Sequence, residues 1–231
     1  KYDICDLLVQ EGISLTMRNL PIVVQQDKIS VESVKKTIQH LKETDNWDPK
    51  CNNASIGLAI AYFQEKYDVC DLLVYEGVSL TMSNLPVVVQ QDKTSVESMK
   101  KTIQHLKDTD NWDPKCDNAS IGLAISFIEK KYDLCDLLVQ EGVSLTMRHL
   151  PIVVEQDKTS VESVKKIIQY LKETDKWDPK CDNASVALAI AYVDKKYDVC
   201  ALLVREGVLL RMRNFTIIQQ DKTSVESVKK T

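Results

Sequence analysis

The chain has 231 residues, 44% hydrophobic and 28% charged, with a formal net charge of −4 and a pI near 5.5. This balance supplies ample core material and lacks the basic footprint that nucleic-acid binding requires. No apolar run approaches the ~20 residues of a membrane span, and no charged-then-apolar leader opens the chain, so the sequence reads as soluble, without direct membrane insertion.

The segment KYDICDLLVQEG at Lys1 returns at Lys66 as KYDVCDLLVYEG, at Lys131 as KYDLCDLLVQEG and at Lys196 as KYDVCALLVREG. The units are therefore 1–65, 66–130, 131–195 and a partial 196–231. A fixed period of this size marks a single repeat array in which each unit buries its apolar face against its neighbours. Polar terminal caps are not evident, so the expectation is a piece of a longer array.

NASIGLAIAYFQEKYDVCDLLVYEG, from Asn53 to Gly77, carries one apolar face at Leu58 and Ala61. A second runs through Val69, Cys70, Leu72, Leu73 and Val74, with Gly77 as the helix stop. LPVVVQQ from Leu85 reads as a short helix with Pro86 in its first turn, a strand being the alternative. In TSVESMKKTIQHL, Val96, Met99, Ile103 and Leu106 fall at steps of three, four and three, one stripe of a helix. Thr94 and Glu97 have capping-box spacing, as do Thr159 with Glu162 and Thr223 with Glu226. The first unit has Ile29 there, so its helix is expected to start with less help. The result is two helices per half-unit and four per unit, with no competing alternating pattern.

Each unit is close to twice the roughly 33 residues of an ankyrin repeat. AYFQEKYDVCDLLVYEG, Ala61 to Gly77, resembles the second part of such a repeat, with Ala61, Val69, Leu72, Leu73 and Gly77 at core and turn positions. Ile56-Gly57-Leu58-Ala59 stands where that family has Thr-Pro-Leu-His, and only the leucine matches. Glu65, Lys130 and Lys195 replace the glycine between the family's two helices. The resemblance implies an all-α solenoid of stacked ankyrin-like helix-turn-helix repeats, with hairpin-like turns at Thr81-Met82-Ser83-Asn84 and its copies. The tetratricopeptide family has a similar double period, but its Trp-Leu-Gly-Tyr pattern is absent.

Seven cysteines fall in two registers: Cys5, Cys70, Cys135 and Cys200, then Cys51, Cys116 and Cys181. With an odd number and no Cys-x-x-Cys, they read as free structural thiols of a reducing, cytoplasmic compartment rather than a disulfide ladder. Asn53-Ala54-Ser55, Asn118-Ala119-Ser120, Asn183-Ala184-Ser185 and Asn214-Phe215-Thr216 fit a glycosylation sequon. Asn and Ser before an apolar helix are also expected as N-caps, the preferred reading.

His40 and His105 share a register that Tyr170 breaks, and His149 replaces an asparagine, so no metal site repeats down the chain. Asp108, Asp110, Asp113 and Asp117 lack the order of a calcium loop. Trp47, Trp112 and Trp177 precede Asp-Pro in each full unit, as repeat-to-repeat wedges or partner anchors. No nucleophile, base and orienter stand together, and no cofactor is indicated.

Units one and two differ at 14 of 65 positions, five of them consecutive: Ala61-Tyr62-Phe63-Gln64-Glu65 against Ser126-Phe127-Ile128-Glu129-Lys130. The third copy reads Ala191-Tyr192-Val193-Asp194-Lys195. A second differing register is Arg18, Ser83, Arg148 and Arg213, beside Asn19, Asn84, His149 and Asn214. The expected partner-contact strip is Phe63, Gln64, Glu65, Ile128, Glu129, Lys130, Val193, Asp194 and Lys195 with Arg18, Ser83, Arg148 and Arg213, against relaxed constraint at exposed turns. The functional expectation is a non-catalytic protein-interaction scaffold. An elastic or spacing arm of a larger cytoskeletal or membrane-associated protein is the alternative.

Overall fold

The computed structural model of the chain describes residues 14–214. The chain divides into two compact units, Lys1–Ala119 and Ser120–Thr231. The described residues form twelve α-helices and three short 3-10 turns, with no strand among them. Cys5, the first KYDICDLLVQEG helix and the Thr223–Glu226 helix start lie outside the described residues.

The first unit carries α1 (Asn19–Gln25), α2 (Val31–Glu43), α3 (Asn52–Phe63), α4 (Tyr67–Tyr75), α5 (Leu85–Gln90) and α6 (Val96–Asp108). α1 packs on α3, α3 on α5 and α6, and α2 on α4. α7 (Asp117–Ile128) leads into the second unit, which holds α8 (Tyr132–Gln140), α9 (Leu150–Glu155), α10 (Val161–Glu173), α11 (Asp182–Val193) and α12 (Tyr197–Arg205). There α9 packs on α11, and α10 and α11 on α12.

Burial explains the two kinds of helix. α3 is apolar all round and buries Leu58, Ala59, Ile60 and Ala61, as expected of a helix enclosed on every side. α6 is amphipathic, with Met99, Ile103 and Leu106 inside, while Val96 at its first residue is half-buried. In α4, Val69, Cys70 and Leu73 face the core but Val74 is exposed. The Leu-Pro-Val-Val-Val run is a helix, with Pro86 in its first turn.

The caps differ from the expected ones by one residue. Ser30, Ser95 and Ser160 are the N-caps of α2, α6 and α10, their hydroxyls accepting the N–H of Ser33, Ser98 and Ser163 at 3.1, 3.0 and 3.2 Å. Thr94 does not pair with Glu97; its hydroxyl donates to the Val88 carbonyl at 2.5 Å. Thr159 donates likewise to Val153. The first unit starts α2 with the same serine cap despite Ile29.

The Thr81–Asn84 segment is a 3-10 turn rather than a hairpin-like one: the Thr81 N–H donates to Asn84 Oδ1 at 2.8 Å, and the Thr146 N–H to His149 Nδ1 at 3.0 Å. The far ends of the short helices are held by lysines. Lys66 Nζ donates to the carbonyls of Val24 and Gln26 at 2.7 and 2.6 Å, and Lys196 Nζ to those of Val154 and Gln156 at 2.6 and 2.9 Å. An ammonium there satisfies orphan carbonyls and opposes the negative end of the helix dipole.

Lys196→Met keeps the aliphatic stem and removes both bonds. It is expected to cost about 1.5–3 kcal/mol, the range for hydrogen bonds to a charged group, read as a lower urea midpoint with faster amide exchange in α9. An unchanged midpoint with α9 still protected would show that the lysine clamps nothing.

Candidate functional site

The five-residue variable window is divided between core and surface. Phe63 and Ile128 are 5% and 6% exposed and belong to the packing; Val193, Gln64 and Glu129 are half-buried. Glu65, Lys130, Asp194 and Lys195 are exposed. Glu65, Lys130 and Lys195 stand at φ 58°, the left-handed conformation that glycine adopts at least cost. Each ends its helix in a Schellman arrangement: Lys66 N–H reaches Ala61 O at 2.9 Å, and Lys131 and Lys196 N–H reach Ser126 O and Ala191 O at 2.8 Å.

Two of these side chains, Glu65 and Lys130, reach the first turns of α6 and α10. Ser95 Oγ donates to Glu65 Oε1 at 2.6 Å, whereas Lys130 Nζ pairs with Glu162 at 2.9 Å. Lys158 Nζ donates to Glu129 at 3.0 Å. The Lys130–Glu162 hydrogen bond and charge attraction hold the carboxyl below and the ammonium above their ordinary pKa ranges.

The aromatic member of the window also changes with its partner. Tyr62 packs on His105 with ring centroids 5.7 Å apart, and Phe127 on Tyr170 at 5.9 Å. His105 Nε2 accepts the Leu80 N–H at 3.3 Å, and burial pushes this imidazole toward its neutral form. The Tyr170 phenol oxygen takes the same place by accepting the Leu145 N–H, while burial raises its pKa. Two different side chains thus perform one backbone-capping task.

In the turn register Arg18, Ser83, Arg148 and Arg213 are exposed, and Arg213 pairs with Asp182. Their neighbours Asn84, His149 and Asn214 are buried. Asn84 and His149 close the 3-10 turns. Asn214 Nδ2 donates to Ser185 Oγ at 2.8 Å.

Sequence reasoning misplaced the caps at the Asn-Ala-Ser motifs. Cysteine precedes each helix: the N–H groups of Ala119 and Ala184 donate to Cys116 Sγ and Cys181 Sγ at 3.4 Å. Ser55, Ser120 and Ser185 are instead buried. Ser185 Oγ also accepts the Arg211 N–H at 2.9 Å, and Ser120 Oγ donates to the Ser144 carbonyl at 2.8 Å, so these serines join a helix start to the following loop.

The acidic loops are likewise used internally. Asp48, Asp113 and Asp178 accept the N–H two residues on at 2.9 Å, as Asx turns. Asn111 Nδ2 reaches the Leu80 carbonyl at 3.0 Å, and Pro49 lies 3.8 Å from where a Gly77 Cβ would stand. Trp47, Trp112 and Trp177 are half-buried beside these turns. No group of three or more His, Cys, Asp or Glu that could hold a metal occurs among the described residues.

The second unit contains an open cleft of about 670 Å³ along α8 and α10. Phe127, Tyr132, Cys135 and Tyr170 contribute its aromatic and thiol lining, and Lys166 Nζ stands 5.4 Å from the Tyr132 ring centroid. Asp136 and Gln140 line it from α8, Gln169 and Glu173 from α10. In the first unit the same registers hold Tyr67, Cys70, Asp71, Tyr75, Lys101, Gln104, His105 and Asp108, and Lys101 Nζ is 3.8 Å from the Tyr67 centroid. Sequence reasoning passed over this site; its signal was the tyrosine of Lys-Tyr-Asp, present in every copy.

Replacing Tyr62→Phe together with His105→Tyr recreates the Phe127–Tyr170 pair in the first unit. The double variant is expected to be more stable than the sum of the single changes by about 0.5–1.5 kcal/mol. Strict additivity in a urea-melt cycle would show the two positions to be independent.

The six described cysteines are free. Burial pushes the Cys70 thiol from 9.0 up to about 12 and the Cys135 thiol up to about 11. The folded state therefore binds these protons more tightly than the unfolded chain. That contribution is fully present below pH 9.0 and is lost as pH rises through about 11 and about 12. At pH 8 a thiol reagent is expected to label Cys51, Cys116 and Cys181 but spare Cys70 and Cys135 until urea is added. Cys70→Ala with Cys135→Ala should reduce the alkaline loss of stability; equal labelling of all five thiols in the folded protein would contradict this.

Compared with known proteins, the chain matches no family model, no curated protein and no solved structure.

Proposed function

We propose that the chain is a non-catalytic protein-interaction scaffold built from ankyrin-like repeats, binding its partners along the helix pair α8 and α10 and its counterpart α4 and α6. The observation that carries this reading is the open cleft, whose tyrosine, lysine and acidic residues recur in both units. Recurrent positions with exposed polar groups beside half-buried aromatic rings suit recognition, since a concave surface with a few convergent polar groups is the ordinary form of a binding site. The exposed members of the two variable registers, Glu65, Lys130, Asp194, Lys195, Arg18, Ser83, Arg148 and Arg213, offer a second contact surface on which the copies differ.

A photo-crosslinking amino acid at Gln140, and separately at Tyr75, which is 86% exposed in the same register, should give a shared set of discrete protein adducts in cells. The same group at the exposed loop residue Lys50 should not. Adducts at Gln140 and Tyr75 no different from those at Lys50 would remove the reading and favour the elastic-spacer alternative.

A further inference from the structure

We propose that the cleft along α8 and α10 receives a basic side chain, arginine or lysine, of a peptide segment in the partner. This rests on the scaffold reading above and names the chemistry that reading leaves open. Two carboxylates line the cleft, Asp136 from α8 and Glu173 from α10. The lysine in the same cleft is turned to an aromatic ring: Lys166 Nζ lies over Tyr132, 5.4 Å from its centroid. Glu173 Oε1 accepts only the neutral Gln169 amide, at 2.8 Å. The lining therefore combines an acid excess with tyrosine faces, and a guanidinium matches both because it pairs with carboxylates and stacks on aromatic rings.

The copies of the unit supply an internal comparison. The first unit retains the pair as Asp71 and Asp108, with Lys101 again over a tyrosine, 3.8 Å from the Tyr67 centroid. On α12 the aspartate register is Ala201 and the Gln140 register is Arg205, which removes an acid and adds a base. The cleft along α8 and α10 and the matching positions of α4 and α6 thus carry residues suited to a cation, and the α12 positions do not. The alanine at 201 also shows that the aspartate side chain is dispensable for forming this helix.

A phage-displayed random dodecamer library panned on the 231-residue protein provides the probe. Enriched peptides should carry arginine or lysine. A synthetic enriched peptide should bind the wild type in fluorescence anisotropy and bind the Asp71→Ala, Asp136→Ala variant about tenfold or more weakly. Circular dichroism and the urea midpoint show that the variant is folded, and Asp136→Lys alone should weaken binding further than Asp136→Ala. Enriched peptides without basic residues, or undiminished affinity in the folded variant, would overturn the inference while leaving a peptide-binding scaffold in place. No enrichment at all would overturn both readings.

Discussion

Helices of six and seven residues cannot stabilise themselves, and α1, α5 and α9 are that short. At such lengths few internal hydrogen bonds form and most terminal groups need partners from elsewhere. The chain supplies them from both directions. A threonine with its asparagine or histidine forms the 3-10 turn leading into α5 and α9, and Thr94 or Thr159 bonds back to the last turn. Lys66 and Lys196 reach across about forty positions to the C-terminal carbonyls of α1 and α9. Burial pulls the Lys66 ammonium below its ordinary pKa, as expected of a cation taken partly out of water. The long buried helices α3 and α11 then have a fixed partner to pack on, and α1 can approach α3 closely at Gly57, where a Cβ would stand 3.4 Å from Leu20 Cγ.

On that frame the copies vary by compensation. Where Tyr62 becomes Phe127, the hydroxyl reappears across the contact as His105 becomes Tyr170, and the bond to a leucine N–H is retained. Where Glu65 becomes Lys130, the contact at the start of α6 or α10 changes from the Ser95 hydroxyl to the Glu162 carboxylate. Clustered differences between repeats therefore have a packing cause that a single-strand comparison of the copies does not reveal. The buried part of the window records how a helix meets its successor; only its exposed residues are available to anything else.

The helices were legible because their apolar residues keep a helical period and because glycine and proline punctuate them: Gly77 has φ 86° and Pro86 lies in a first turn, as read from the sequence. The caps were less legible. Thr94-Ser95 offers two adjacent hydroxyls, and spacing to Glu97 favoured the wrong one because Ser98 is also a competent partner. A thiol cap such as Cys181 is weak enough to fall outside ordinary capping preferences, and Asn-Ala-Ser presents better caps on paper. The cleft was the least legible feature. Tyr132 and Tyr170 lie on different helices, and neither residue alone differs from a packing aromatic.

The left-handed residues show how these levels constrain one another. A glycine at 65, 130 or 195 would relieve a backbone penalty of about 1–2 kcal/mol per residue. It would also have no side chain with which to reach Ser95 or Glu162. Asp45, Asp110 and Asp175 hold the same conformation at the other helix ends, and aspartate is among the few non-glycine residues that visit it routinely. At 65 and 130 glutamate and lysine are accounted for by the tethers they make to α6 and α10. The turn is consequently less relaxed than a glycine turn, but it carries a side chain that reaches α6 or α10. Lys130, the last residue of one repeat, meets Glu162 in the next, whereas Glu65 stands with Glu97 near Tyr67, where burial together with both charges raises the phenol pKa.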